Sequence, residues 1–343
     1  MKKITGLFLM LSLFLSACST KFKVGAPYKP VSVVYGLLSM NDTAHYIKIT
    51  RGFYDEENSN LGIAQIPDSL YYPNLDVRIE ILNNGNVIET IALQRVDLSN
   101  EGYPKEAGTF ATIPNYAYKF KKTLDPTKSF RLKIVNLDNG QQITGETQLI
   151  STLSKNFQFV KPFDDQETLD FSNMVQPFVF RWKGPSAAAF YDVVIRFRYQ
   201  EVNANTLDTI YVNKDVPIAQ NILSSIGDNT VSVSSLDFYK QINSRVGSAP
   251  DYIKRYVDTP GLMIVGGGSV LKTYIDVNAV QGGITFDQIK PSYTNFVGDN
   301  VFGILSTRGY IEIPNIRFNS TTIDAIMNGP YTKSLHIVGI STK

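Results

Sequence analysis

Few side chains in this 343-residue sequence could carry covalent chemistry: it holds one Cys and two His. Cys18 is the sole thiol, and a thiolate is a strong nucleophile. It follows Leu15-Ser16-Ala17, in which small Ser16 and Ala17 suit a peptidase site. Ahead of these lie Met1-Lys2-Lys3 and the apolar run 4–15, a charged start and a greasy stretch that read as a secretory signal. A spanning helix needs about 20 apolar residues, so this stretch is expected to be a removed signal and not a permanent anchor. Catalysis by a nucleophile needs a base held by a third group, and the only imidazoles are His45 and His336. Neither lies in a nucleophile elbow or a His-Glu-x-x-His metal motif, and both read as strand residues with satisfied rings. Carboxylates cluster at Asp55-Glu56-Glu57 and Asp164-Asp165. Two of them held about 5–10 Å apart could hydrolyse a glycosidic bond, although acidic loops are more often simply solvated. The run Gly266-Gly267-Gly268-Ser269 lacks the Lys-Ser/Thr ending of a phosphate loop and is expected between antiparallel strands. No catalytic residue, metal site or cofactor is assigned.

Leu15-Ser16-Ala17-Cys18 resembles the lipobox of bacterial lipoproteins, in which the Cys takes a diacylglyceryl group, the bond before it is cut and the new amine is acylated; the resemblance implies that residues 1–17 are removed and that Cys18 heads the mature chain. Several acyl chains hold a protein stably on a membrane surface. In enterobacterial lipoproteins an Asp in the next position favours the inner membrane; here Ser19 stands there, so the outer membrane is expected, on either face. Residues 18–30 contain Gly25, Pro27 and Pro30 and read as a lipidated tether. Fully extended they would reach on the order of 40 Å at about 3.3 Å per residue.

Thirty-three Lys+Arg against 31 Asp+Glu leave +2, too balanced for the basic field that nucleic-acid binding requires. Hydrophobic residues make up 43% and aromatics 12%, enough to form packed cores rather than a disordered chain. Beyond the tether the apolar pattern has a period of two. Runs at 31–38, 45–50, 76–82, 87–93 and 130–137 are separated by Asn, Asp, Gly and Pro clusters, so strands dominate. Asn83-Asn84-Gly85-Asn86 and Asp138-Asn139-Gly140 are hairpin turns of the Asn-Gly kind. The fold expected is mostly β: two tandem antiparallel β-sandwich domains of immunoglobulin or fibronectin type, at 31–150 and 171–343, joined by a junction at 151–170. Trp182, with strands on either side, is expected in the second core. Two short helices are expected there, at 234–246 behind the cap-like Ser234 and at 320–328. Strands are expected at 261–265, 270–277 and 334–340.

The Trp182 strand, the 191–201 strand, the Asp237-Phe238-Tyr239 helix, the stretch 270–277 and the block 291–308, with Tyr293-Thr294-Asn295…Gly303-Ile304-Leu305-Ser306, together resemble uncharacterised Bacteroidota outer-membrane lipoproteins of domain-of-unknown-function type. The opening Val33-Val34-Tyr35-Gly36-Leu37-Leu38 is similar to their first strand. That resemblance implies a lipoprotein found with TonB-dependent transporters and implies no reaction. Thr43, Ser69 and Thr209, each in an Asp-Ser/Thr pair, resemble acceptors of Bacteroidota O-glycosylation. Two functions follow as expectations. The first is a membrane-anchored, non-enzymatic binding module that contacts a transporter, another envelope protein or a glycan. The alternative is a carbohydrate-active or peptide hydrolase using the loop carboxylates.

Overall fold

The computed structural model describes residues 31–52, 60–150, 168–183, 188–225, 228–280, 293–313 and 316–341. The signal residues, Cys18, the acidic cluster at 55–57 and nearly all of the junction lie outside them.

Alternation of apolar and polar residues puts every second side chain of a strand on one face, and the chain uses this to build two stacked sheets in its N-terminal part. β1 (Ser32–Leu38) and β2 (Ala44–Arg51) pair antiparallel and turn Val34, Leu38, Ile47 and Ile49 inward. β3 (Leu75–Asn83), β4 (Asn86–Ala92), β7 (Ser129–Asn136) and β8 (Gln142–Gln148) form the opposing antiparallel sheet. It contributes Ile79, Ile81, Phe130, Leu132, Ile134 and Ile143 to the same core. Both expected hairpins are present, β3–β4 and β7–β8. Their turns carry the left-handed backbone that Asn and Gly tolerate: Asn84 at φ 49°, Gly85 at 80° and Gly140 at 74°.

The first of these sheets continues into the C-terminal part. The added strands are β5 (Gln94–Asp97), β6 (Tyr116–Lys121), β11 (Phe190–Asn203), β12 (Thr209–Leu223), β14 (Ile253–Val257), β15 (Gly261–Gly267), β17 (Val301–Ile313) and β19 (Ile337–Ile340). The short strands β9 (Thr168–Leu169) and β18 (Arg317–Phe318) pair parallel with each other. The ten strands of the large sheet run β19–β14–β11–β15–β17–β1–β2–β6–β5, with β12 also on β11. Near the middle, β1 lies parallel to β17, with Ser32 opposite Val301 and Leu38 opposite Thr307. β16 (Phe296–Val297) adds to the opposing sheet beside β8. Phe296, Val301 and Leu305 thus fill the N-terminal core. The expected separation into tandem units at 31–150 and 171–343 therefore needs correction, because strands distant in sequence complete one another's sheet.

A second core gathers the aromatics of the C-terminal part. Trp182, Phe171, Phe180, Phe197 and Phe238 are fully buried there, each such side chain adding about 1.5–3 kcal/mol by burial. Trp182 is the core residue expected, set edge-on to Tyr191 with ring centroids 5.6 Å apart. Its strand, β10 (Phe178–Lys183), pairs with β13 (Asp228–Val233) and not with β11. Helices Ser235–Val246 and Ser320–Asn328 cover this core as expected. Ser234 caps the first, its Oγ accepting from Asp237 N at 3.0 Å. A third segment overturns its expectation: 270–277 belongs to a helix, Ser269–Val280, instead of a strand. Lys272 and Asp276 pair one turn apart on it. His336 is not a strand residue either; it takes a left-handed φ of 52° between a 3₁₀ turn and β19.

Candidate ligand-binding groove

β1 and β2 face outward with Tyr35, Leu37 and Tyr46, and these residues floor an open groove of about 680 Å³. Asn41, Asp42 and Thr43, in the turn between the two strands, close one end. Leu98 and Tyr103 line it from the 3₁₀ turn Leu98–Glu101 and the residues after it, and Arg308 enters from β17. The turn is fastened to β17 by a side chain. Asn41 Nδ2 donates to Tyr310 O at 3.0 Å, and Tyr310 N donates to Asn41 Oδ1 at 3.1 Å, so one amide imitates a further rung of the ladder.

The tyrosines are held in fixed poses. Tyr46 donates to Glu101 Oε2 at 3.0 Å and stands edge-on to Tyr103 at 5.7 Å. Lys119 forms an ion pair with the same carboxylate. Hydrogen bonds from Lys119 first and Tyr46 second hold the Glu101 carboxyl below its usual range. Tyr35 shares a hydrogen bond of 2.8 Å with Tyr274 of helix Ser269–Val280. Burial first, then that bond, pushes the Tyr35 phenol up to about 12, so it stays neutral at physiological pH. Tyr35 and Tyr103 remain 40% and 58% exposed, leaving ring surface free for a partner.

The groove also holds one charge of each sign, Asp42 and Arg308. Neither side chain forms an ion pair with another described residue. Exposed aromatic rings beside unpaired polar groups can stack on the apolar face of a ligand and orient its polar atoms.

His45 lines the inner side of this groove but is a structural residue. It is 2% exposed, stacks on Phe120 at 4.8 Å and directs Nε2 at Lys122 O, 3.0 Å away, but Nδ1 is buried with no partner among the described residues, so the ring is only half satisfied, contrary to expectation. Burial lowers its pKa, with the Lys122 carbonyl and Asp42 opposing. His336 is remote from the groove, with Nδ1 3.2 Å from Pro250 O. Among the described residues no three His, Cys, Asp or Glu side chains gather as a metal site. Asp192, whose carboxyl burial pushes up, accepts from Asn221 N at 2.7 Å and does not line the groove.

Gly266-Gly267-Gly268 does lead into a helix, contrary to expectation. The hollow beside it contains Glu146, which would repel a phosphate, and Leu271 N is already bonded to Ser306 Oγ at 3.1 Å. Of the candidate glycosylation residues, Thr43 is exposed on the groove rim and Thr209 at the start of β12. Ser69 instead donates its hydroxyl to the carbonyls of Ile63 and Ile66, at 2.6 Å each.

The sequence reading did not single out Tyr35, Tyr46, Tyr103 or Arg308 as site residues. One signal was available. The two stretches 33–38 and 293–308, which carried the resemblance to lipoproteins, are β1 and the segment entering β17, and they lie side by side.

No protein-family model and no curated protein matches the chain. Among solved structures it is similar to the C-terminal globular domain of an oligosaccharyltransferase from Pyrococcus abyssi, at 11% identity and a TM-score of 0.21. That likeness covers 67% of this chain and 44% of the other, so the chain spans less than half of that structure. A second is CBD12 from CALX1.2, at 10% identity and a TM-score of 0.18, covering 82% of this chain and all of that one. At such scores neither likeness bears on function. The architecture itself is mostly β, with antiparallel sheets stacked as in β-sandwich domains.

Proposed function

We propose that this chain is a lipid-anchored outer-membrane protein that binds a ligand or partner through the groove on β1 and β2 and performs no reaction. The open groove carries this reading, since it offers exposed Tyr35 and Tyr103 rings together with Asp42 and Arg308, neither of which forms an ion pair among the described residues. Hydrolysis by paired carboxylates would need a second acid beside Asp42, and among the described residues the groove lining contains none. His45, the nearest base, is buried with one ring nitrogen against a backbone carbonyl. Cys18 supplies the anchor and 18–30 the tether, in keeping with the resemblance to Bacteroidota lipoproteins. A TonB-dependent transporter is the partner that resemblance suggests, and a glycan is the other candidate. Among the described residues no helix is long and apolar enough to cross a membrane, so attachment in this reading falls to the lipid.

The test is crosslinking and co-purification from native membranes with the wild type and a Tyr103→Ala/Arg308→Ala variant. A stoichiometric partner held by the wild type and lost from the variant is expected; recovery of both as lone monomers would refute the groove. Cys18→Ala should move the protein from the membrane to the soluble fraction. Continued sedimentation with membranes would overturn the anchor.

A further inference from the structure

Beside the groove floor lies an amine in an unusual setting. Lys48 on β2 is the cross-strand neighbour of Tyr35, but its side chain reaches the loop beyond. Nζ donates to Tyr71 Oη at 3.2 Å and to Asn115 Oδ1 at 2.5 Å, both neutral acceptors. Tyr71 in turn donates to Pro114 O at 3.0 Å. No described carboxylate lies within ion-pair distance of the amine.

The surrounding charges are mostly of the wrong sign to keep a proton there. Lys105, from the loop before β6, donates to Ala111 O at 3.0 Å and repels the ammonium. Arg95 of β5 lays its guanidinium 3.8 Å from the Tyr116 ring centre and 5.9 Å from that of Tyr71. Asp97 of β5 opposes them, but its Oδ1 already accepts from the backbone N–H groups of Ser99 and Asn115. Burial first and Lys105 second lower the Lys48 pKa from 10.5 to about 8. A neutral amine has two hydrogens and one lone pair. Here the two hydrogens match the two acceptors, so losing the third proton sacrifices no hydrogen bond, only the cation's attraction to the Tyr71 ring 5.1 Å away, and leaves a lone pair for attack.

We propose that Lys48 is a covalent modification site of this chain, taking small aldehydes as imines. The neutral nitrogen adds to the carbonyl carbon, and a proton passes from nitrogen to the carbonyl oxygen to give a carbinolamine. Loss of one water then leaves the C=N bond, with no net oxidation or reduction. Replacing an ammonium with the more weakly basic imine also relieves the repulsion from Lys105. The proposal concerns this amine's own chemistry and stands whether or not the groove binds a partner.

The probe is glycolaldehyde with cyanoborohydride, which reduces each imine to a stable amine, applied to the mature protein at neutral pH. Peptide mass spectrometry then follows every lysine with time. Near pH 7 an amine of pKa 8 is about one-tenth neutral, against about 1 in 2,500 for an ordinary lysine. Lower basicity gives back roughly a tenfold in nucleophilicity, if amines follow the trend known for thiols. Lys48 should therefore react on the order of tenfold faster than the mean of the other lysines. The advantage should vanish when the protein is unfolded in urea. Asn115→Asp, which places a carboxylate against the amine, should abolish it in the folded protein, and Lys105→Gln should slow Lys48 severalfold. The proposal is overturned if Lys48 in the folded wild type reacts no faster than the mean, or if neither substitution changes its rate.

Discussion

Gly303 sits where the N- and C-terminal strands meet, and Gly303→Ala is the substitution that most directly tests that junction. Its φ is 98°, a conformation that costs an L residue about 1–2 kcal/mol. A Cβ built there would lie 1.9 Å from Val34 O, 2.8 Å from Val34 C and 3.0 Å from Val34 N. These are backbone atoms of β1, which cannot swing aside as a side chain would. Val34 is fully buried, registers with Gly303 on one side and is held by Ile49 of β2 on the other. Forcing β1 away would add an overpacking cost of about 1–3 kcal/mol, for a total of about 2–5 kcal/mol. Gly85→Ala is the matched control. Gly85 has a similar φ of 80°, but a Cβ there meets nothing within 4 Å, so it should cost only the conformational part, about 1 kcal/mol. Urea unfolding of both variants beside the wild type separates the two terms, at the same slope. Equal losses for the two substitutions would mean that β1 and β17 are not packed as described.

Two further expectations follow from buried polar groups. Arg255, 6% exposed, donates to Glu201 Oε1 at 2.8 Å and to the carbonyls of Gly247 and Leu335 at 2.6 and 3.1 Å. Arg255→Met keeps the stem but strands these acceptors, and should lower the unfolding free energy by about 3–5 kcal/mol; a loss below about 1 kcal/mol in urea titration would contradict it. The second concerns pH. Because burial holds the His45 imidazole below its usual 6.5, the unfolded chain takes up that proton before the folded one does. Its contribution is therefore complete above about pH 6.5 and declines as pH falls from there toward the folded value. Urea midpoints at about pH 7.5 and about pH 5.5 should drop further for wild type than for His45→Gln, and equal drops would refute this.

Local chemistry made much of the fold legible. Asn84-Gly85 and Gly140 announced their hairpins because few other residues accept left-handed backbone cheaply, and Ser234 announced its helix through its hydroxyl. The helix Ser269–Val280 looks like a strand in sequence because Val270, Thr273, Ile275 and Val277 are β-branched. Its helical signals were the Lys272–Asp276 spacing and the serine at its start. The groove was hidden for a different reason. Tyr35 and Arg308 stand far apart in sequence and meet only because β1 lies beside β17, and no local pattern specifies which distant strand will be a neighbour. Similarly, the depressed basicity of Lys48 depends first on burial and then on Lys105, which a loop brings to it.

The parallel seam between β1 and β17 also bears on how the polypeptide comes into being. A ribosome releases residues 31–150 long before it reaches Phe296, Val301 and Leu305, which plug the same interior. Until then the early part of the nascent chain keeps an unfilled apolar flank, and β1 lacks one of its two neighbours. Fragments stopped upstream of residue 296 would thus be substrates for proteases and chaperones, because the first core closes only once residues 296–305 are present.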